Sequence, residues 1–310
     1  MDVDRLLAPE ETLTFTVGRG EEERRLDLVL PARFGFVTRA RVSEWIRGGR
    51  LRIDGRVVTR PASSARVGQV VELTIEKRPR DSQAAIDDLL ALPVLARGEG
   101  WLALDKPPGV VAHPAGNDVK RTLLTAIALR HASESEPGGP WLPHRLDKET
   151  SGLQLVALSL DAQRRISDAF RARAVRRFYD ARVRGDASAQ FRGVSELELC
   201  GRLARVGHRP PRVAVREEGV ESLTRARLVE AASDSSLLEL EPVTGLQHQL
   251  RAHMVHLGHP VLNDPLYDPE ASAGERTCLH ARALSVPAGV LAEGAVQLET
   301  APPAFARSSR

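Results

Sequence analysis

The sequence predicts an α+β protein of about two domains, built on a mainly antiparallel mixed sheet with flanking helices. Three observations carry that expectation. The chain has 310 residues, more than one hydrophobic core usually organises. Short runs of apolar and polar residues alternate with period two, bounded by Gly, Pro, Asn and Asp, which is the pattern of half-buried strands. There is no regular strand–helix rhythm and no repeat of about 20 to 50 residues, so neither a parallel α/β sheet nor a solenoid is expected.

The elements follow in chain order. "RARVSEWIRGG" predicts a short helix that Thr38 can cap and that ends at Gly48 and Gly49. "LRIDGRVV" follows as two alternating runs about an Asp-Gly turn, the signal of a tight hairpin. Charge concentrates here. From Arg33 to Arg60 there are eight arginines, Arg33, Arg39, Arg41, Arg47, Arg50, Arg52, Arg56 and Arg60, against Glu44 and Asp54, a formal +6 within a chain whose net charge is +3. A helix and hairpin bearing that many arginines suit phosphate contacts, although an ordinary solvated surface would look similar.

"KRPRDSQAAIDDLLALP" is charged and proline-bearing and reads as a linker or bridging helix. The division expected is therefore residues 1–78, a linker over 79–92, and a second domain over 93–310. That second domain opens with strands in "PVLARGEGWLALDKPPGVVAHP" about a Gly-Glu-Gly turn, then a Pro-Pro-Gly corner. "TLLTAIALRHA" has helical spacing. After "HRLDKETSGL" come a strand, "LQLVALS", a polar helix from about Asp161 to Arg173, and further strands in "RRFYDARVRG", "VSELELCGRL", "LTRARLVEA" and "SSLLELEPV".

Composition removes several function classes. Apolar content is 42%, and no run of about 18 apolar residues could span a bilayer. The start, "MDVDRLLAPEE", carries acids where a secretion signal would be basic, so a cytoplasmic protein without a membrane partner is expected. Cys200 and Cys278 lie far apart, which excludes a disulfide framework and paired-cysteine zinc sites.

Two stretches hold the chemistry. "HRLDKETSGL" sets Asp147 behind an arginine and before a Thr-Ser-Gly turn, where an aspartate can serve as metal ligand, acid or base, nucleophile, or plain loop residue. "TGLQHQLRAHMVHLGHPVLNDPLYDP" has four histidines, His248, His253, His256 and His259. On a helix starting near Gln247, His253 and His256 fall about 60° apart but His248 lies about 140° from His253, and His259 follows the helix stop at Gly258. No His-Glu-x-x-His pair exists, so no metal site is expected. Leu250, Met254 and Leu257 form an apolar stripe on that helix, which leaves Arg251 away from the main packing face. An arginine from a helix and an aspartate from a loop can meet across a cleft and hold the carboxylate ionised and aimed. A purely structural salt bridge would use the same two residues.

The first segment, "RRLDLVLPARF" followed by "SEWIRGGRLRIDGRVVTRPASSARVGQVVEL", resembles the small α-L RNA-binding domain shared with a ribosomal small-subunit protein, over about Arg24 to Glu72. The remainder resembles the RluA-type pseudouridine synthases, in their large-ribosomal-RNA form. In order, "LDKPPGVVAHP", "HRLDKETSGL", "RRFYDARVRG", "TGLQHQLRAHMVHLGHPVLNDPLY" and "CLHARALSV" match the family's motifs.

The resemblance implies isomerisation of uridine to pseudouridine within RNA, without cofactor or metal. Asp147 falls on the catalytic aspartate, as nucleophile or as the base that opens the sugar. Tyr179 falls on the active-site tyrosine, and Arg251 on the arginine that pairs with the aspartate. His144, Arg145, Thr150, Ser151, Gly152, His248 and Gln249 become candidates for holding the nucleotide or shaping the turn. In the first domain, Arg39, Arg41, Arg47, Arg50, Arg52 and Arg56 become candidates for RNA contacts, as do His208, Arg209 and Arg212 in the family's variable insertion. The partner implied is RNA, ribosomal first and transfer RNA second; a monomer is expected because the sequence shows no extended apolar seam. One departure stands out: where the family reads Thr-Gly-Arg-Thr-His-Gln, this chain has Leu246 and Gln247 at the Arg and Thr positions, which removes a cation near the active-site loop. Two alternatives remain: a catalytically silent RNA-binding or ribosome-assembly factor on the same fold, and a metal-dependent hydrolase using the histidines.

Overall fold

The computed structural model describes residues 10–18, 22–34, 39–76, 91–113, 122–207, 212–272 and 274–307. Thr38, His208, Arg209, most of the linker expected over 79–92 and the side chain of Arg41 lie outside them. The chain divides into two compact units, one of residues 1–91 with 113–130, the other of 92–112 with 131–310.

In the first unit, β1 (Glu10–Thr16), α1 (Leu26–Phe34), α2 (Arg39–Arg47), β2 (Leu51–Ile53), β3 (Arg56–Val58) and β4 (Val70–Glu76) give a four-stranded antiparallel sheet in the order β1-β4-β2-β3. The hairpin turn forms as expected: Asp54 and Gly55 both have positive φ, +47° and +76°, the pairing that matches the twist of a two-residue hairpin. Val42, Trp45 and Ile46 of α2 are buried with Leu26, Leu30, Leu51 and Leu73, leaving Arg47 to solvent. Not all the expected RNA-facing arginines are equally free. Buried Asp27 accepts from Arg39 at 3.0 Å and from Arg25 at 2.9 Å, so Arg39 is part of the packing of this unit. Arg52 donates to the Gly55 carbonyl in the turn; it and Arg56 are exposed and Arg50 is half-buried. Residues 113–130 include α3 (Leu123–Arg130).

The second unit is a ten-stranded mixed sheet: β5 (Val94–Gly98), β6 (Trp101–Lys106), β7 (Ser151–Ala157), β8 (Arg176–Arg184), β9 (Leu197–Val206), β10 (Arg212–Arg216), β11 (Val220–Ala231), β12 (Ser235–Pro242), β13 (Leu279–Val286) and β14 (Val296–Glu299). The order is β10-β9-β11-β12-β8-β13-β7-β6-β5, with β14 on β13. Every neighbouring pair is antiparallel except β13 with β7. All seven residues of β7 are buried, as a central strand covered on both faces requires. Helix α4 (Leu160–Arg171) is capped by Ser159, whose Oγ accepts from the Ala162 N–H, and packs Ala162, Ile166 and Ala169 with Leu153 and Leu155 of β7. Helix α5 (Gln249–His256) starts two residues later than the sequence suggests because His248 sits in the left-handed region, at φ +53°.

Candidate active site

Asp147 is carried by the loop between Trp141 and β7, and backbone bonds fix that loop at both ends. Gln154, a polar residue wholly buried inside β7, accepts from the Leu146 N–H at 3.2 Å and donates to the His144 carbonyl at 2.7 Å. Beyond the aspartate, the Lys148 carbonyl accepts from Lys106 Nζ at 3.2 Å and from the Gly109 N–H at 2.8 Å. Lys106 is fully buried and also donates to the carbonyls of Pro107 and Val110. Burial pushes it down to about 7, against the pull of Glu149, Asp147 and Asp105. The Thr150 N–H closes the turn on the Asp147 carbonyl at 3.1 Å.

Gly152 explains the Thr-Ser-Gly signature. Its φ is +110°, and a Cβ there would sit 2.3 Å from the Ala281 carbonyl oxygen. Only glycine lets β7 approach β13 at the parallel step pairing Gly152 with Ala281. The loop therefore leaves the sheet at a point fixed by backbone contact.

Asp147, Tyr179 and Arg251 line one open cleft, together with Arg145, Thr150, Arg177, the 242–246 turn, His248 and Leu279. Arg251 meets Asp147 as expected, Nη1 to Oδ2 at 3.4 Å. The expectation that Arg251 points away from the packing is corrected: it is only 2% exposed. A buried guanidinium needs a buried counter-charge, and Asp264, fully enclosed, supplies it with two bonds of 2.6 and 2.7 Å. Burial opposes the charge, but Asp264 and Asp147 together hold Arg251 above its ordinary value. The ring of Tyr267 lies 4.9 Å from the guanidinium carbon.

Tyr179 is buried on β8. Burial pushes its phenol above the ordinary value, with Arg177 opposing and Asp147 reinforcing. Arg145 is exposed at the cleft, Thr150 is buried in its wall, and His248 lines it with Nδ1 3.1 Å from the Tyr267 hydroxyl.

Three expected substrate contacts have other occupations. His144 accepts the Leu155 N–H on Nε2 and stacks on Phe170 at 4.5 Å; burial and nearby Arg177 push it down to about 3, and it holds the loop as a neutral ring. Ser151 is bonded to His280 and Arg276 behind the loop. Gln249 is buried with its amide used up: it accepts from Thr244 Oγ1 and the Leu246 N–H and donates to the Leu223 carbonyl and Thr224 Oγ1. It latches the 244–246 turn to β11. The histidines also scatter: His253 bonds Ser222, His259 bonds the Arg184 carbonyl, and His256 is exposed.

Residues that sequence reasoning missed are Gln154, Asp264, Arg177 and Tyr267. A lone polar residue inside "SGLQLVA" was the signal for Gln154. The other three lie inside the matched motifs, but only the fold joins them to Arg251 and Tyr179. Leu246, the departure from the family pattern, packs beside Leu203, Val213 and Ala252 under the β9–β10 hairpin, an environment that suits an apolar side chain.

Comparison with known proteins agrees with this architecture. Residues 100–256 match the RNA pseudouridylate synthase family and residues 24–71 match the S4 domain. The ribosomal large subunit pseudouridine synthase D of Xanthomonas campestris pv. campestris is 35% identical over 248 residues, covering 79% of this chain and 71% of that protein. Its Vibrio cholerae namesake is 30% identical over 265 residues, covering 86% and 79%. Among solved structures, human RNA pseudouridylate synthase domain containing 1 superposes with a TM-score of 0.58 at 27% identity, covering 69% of this chain and 85% of that one.

Proposed function

Because the chain belongs to the RNA pseudouridylate synthase family, with an S4 domain at its N-terminal side, we propose that it converts specific uridines of large-subunit ribosomal RNA to pseudouridine, using Asp147 and no cofactor. The observation that carries the reading is the convergence of Asp147, Tyr179 and Arg251 on one cleft. The names of its relatives support the choice of ribosomal RNA.

The reaction breaks the bond between the anomeric carbon and N1, turns the uracil, forms a bond from C5 to the same carbon, releases the C5 proton and places a proton on the freed N1. Product and substrate are isomers, so no second substrate is needed. The uridine first leaves its stack, at a cost of a few kcal/mol, and exposed Arg145 is placed to meet the strand it vacates. Asp147, steadied by Arg251, begins the chemistry at the sugar, either by adding to the anomeric carbon or by taking the proton from C2′. Tyr179, buried in the same cleft, stacks on the uracil. The S4 domain adds sequence-tolerant phosphate contacts through Arg47, Arg52 and Arg56. The protein works in the cytoplasm as a monomer.

The test is nucleoside analysis of large-subunit and transfer RNA transcripts after incubation with the protein. Pseudouridine at one or a few positions of the ribosomal transcript is expected. RNA that is bound with steep salt dependence but left unmodified would replace this reading by the silent RNA-binding factor.

A further inference from the structure

We propose that Arg177 grips a phosphate oxygen of the flipped uridine through its Nη1. The proposal rests on the reading of the cleft as a nucleotide pocket.

Arg177 stands two residues before Tyr179 on β8, so both side chains leave the same face of the strand, and both line the cleft with Asp147. Its neighbours on β8 are neutralised: Arg176 by Glu241, Arg182 by Glu230, Arg184 by Asp268. Among the described residues Arg177 alone on that strand has no carboxylate partner. Its Nη2 spends both hydrogens on the carbonyls of Pro242 and Thr244, each at 2.9 Å. Nε is buried with no partner. The Phe170 ring, 6.0 Å from the guanidinium carbon, backs the group and limits its swing. What remains is Nη1, with two hydrogens, bonded to no described residue and not shut off from the cleft. A half-buried cation held only by neutral dipoles lacks the counter-charge that such burial calls for.

Gly245 supports the same conclusion independently. A Cβ on it would lie 3.1 Å from Nη1 and 3.5 Å from Nη2, and its backbone is not in the left-handed region that would demand glycine. Glycine here leaves Nη1 uncovered. Leu246 is half-buried against the apolar cluster beneath the hairpin and brings no charge to the cleft, whereas Arg177 brings a cation to it from β8. RNA offers anionic oxygens only as phosphate, and with uracil against Tyr179 and sugar at Asp147, a phosphate is the part of the nucleotide left to meet Arg177.

The experiment measures binding of uridine, uridine 3′-monophosphate, uridine 5′-monophosphate and inorganic phosphate to the full-length protein by calorimetry or ligand-observed NMR. Wild type is compared with Arg177→Gln, Arg177→Lys and Gly245→Ala. One monophosphate is expected to bind about tenfold more tightly than uridine, the scale of a charge-assisted bond. The advantage should vanish in Arg177→Gln, persist in part in Arg177→Lys, and shrink in Gly245→Ala, where Arg177 itself is intact. Melting temperatures close to wild type show that the variants still fold, and the readout is the ratio of monophosphate to uridine affinity within each variant. Equal binding of nucleoside and monophosphates, an advantage that survives Arg177→Gln, no binding at all, or inorganic phosphate binding as tightly as the nucleotide would each overturn the proposal. Cytidine monophosphates binding as well as the uridine ones, with the same Arg177 dependence, would instead sink the uracil reading and leave the phosphate grip standing.

Discussion

Asp264→Asn separates the residue that anchors the site from the residue that performs the reaction. Asp264 is wholly enclosed and makes two short bonds to Arg251, whereas Asp147, with a side chain 25% exposed, makes one contact of 3.4 Å. Asparagine keeps an oxygen that can accept the Leu266 and Tyr267 N–H groups now bonded to Oδ1, so the turn survives, while the charge is lost and an amide NH2 replaces the oxygen that accepts from Arg251 Nε. A buried guanidinium deprived of its main partner costs about 3–5 kcal/mol. For a cooperative unit of this size, about 2–4 °C per kcal/mol makes that a fall in melting temperature on the order of 10 °C. The Asp147→Asn change removes only a long, partly exposed pair and should cost less than about 1 kcal/mol. Both variants should lose pseudouridine formation, the first through a misplaced Arg251 and the second through loss of the reacting group. Scanning calorimetry beside an activity assay reads the contrast. Asp264→Asn melting with wild type, or Asp147→Asn falling as far as Asp264→Asn, would refute the division of labour.

Three further outcomes are expected. Burial holds His144 down to about 3 and His253 and His280 to about 4, from an ordinary 6.5. Between those limits the unfolded chain binds the protons and the folded one does not, so the stability these rings contribute is complete above pH 6.5 and is lost as pH falls towards 4. The loss should approach about 1.4 kcal/mol per pH unit for each ring; thermal melts from pH 7 to 4.5 check it, and a flat profile contradicts it. Gly152→Ala meets the Ala281 carbonyl in a backbone conformation hostile to alanine, and should cost more than about 3 kcal/mol or yield insoluble protein, while a soluble, active variant would show that β7 can move away from β13. Gln249→Ala strips four bonds from the 244–246 turn and should cost about 2–4 kcal/mol, seen as a lower urea midpoint, with nucleotide binding weakened through the loosened turn; an unchanged midpoint would mean the amide is not the latch.

The strands were legible because their periodicity is local. Asp54-Gly55 announced its hairpin, and "LQLVALS" its strand, since tight turns and apolar runs leave marks on adjacent residues. Asp147, Tyr179 and Arg251 were singled out by long motifs, and the fold brings them to one cleft. What surrounds them was not legible. Asp264 lies 13 residues from Arg251 in a turn that no period marks, and a helical wheel put Arg251 on a free face because it counted apolar neighbours, not buried counter-charges. Gln249 and His144 sit inside the motifs yet face the backbone, which shows that motif membership does not separate a group that holds the loop from one that meets the ligand. Arg177 shares its strand with three paired arginines and is distinguished from them only by the partners that the sheet register provides.

The most direct test of the central claim is tritium release from large-subunit ribosomal RNA labelled at C5 of uridine, with wild type and Asp147→Asn in metal-chelating buffer. Release by wild type that disappears in a normally folded Asp147→Asn protein is the predicted result. Equal release by both proteins, or release that ceases when chelator is added, would contradict an aspartate-driven, cofactor-free isomerisation.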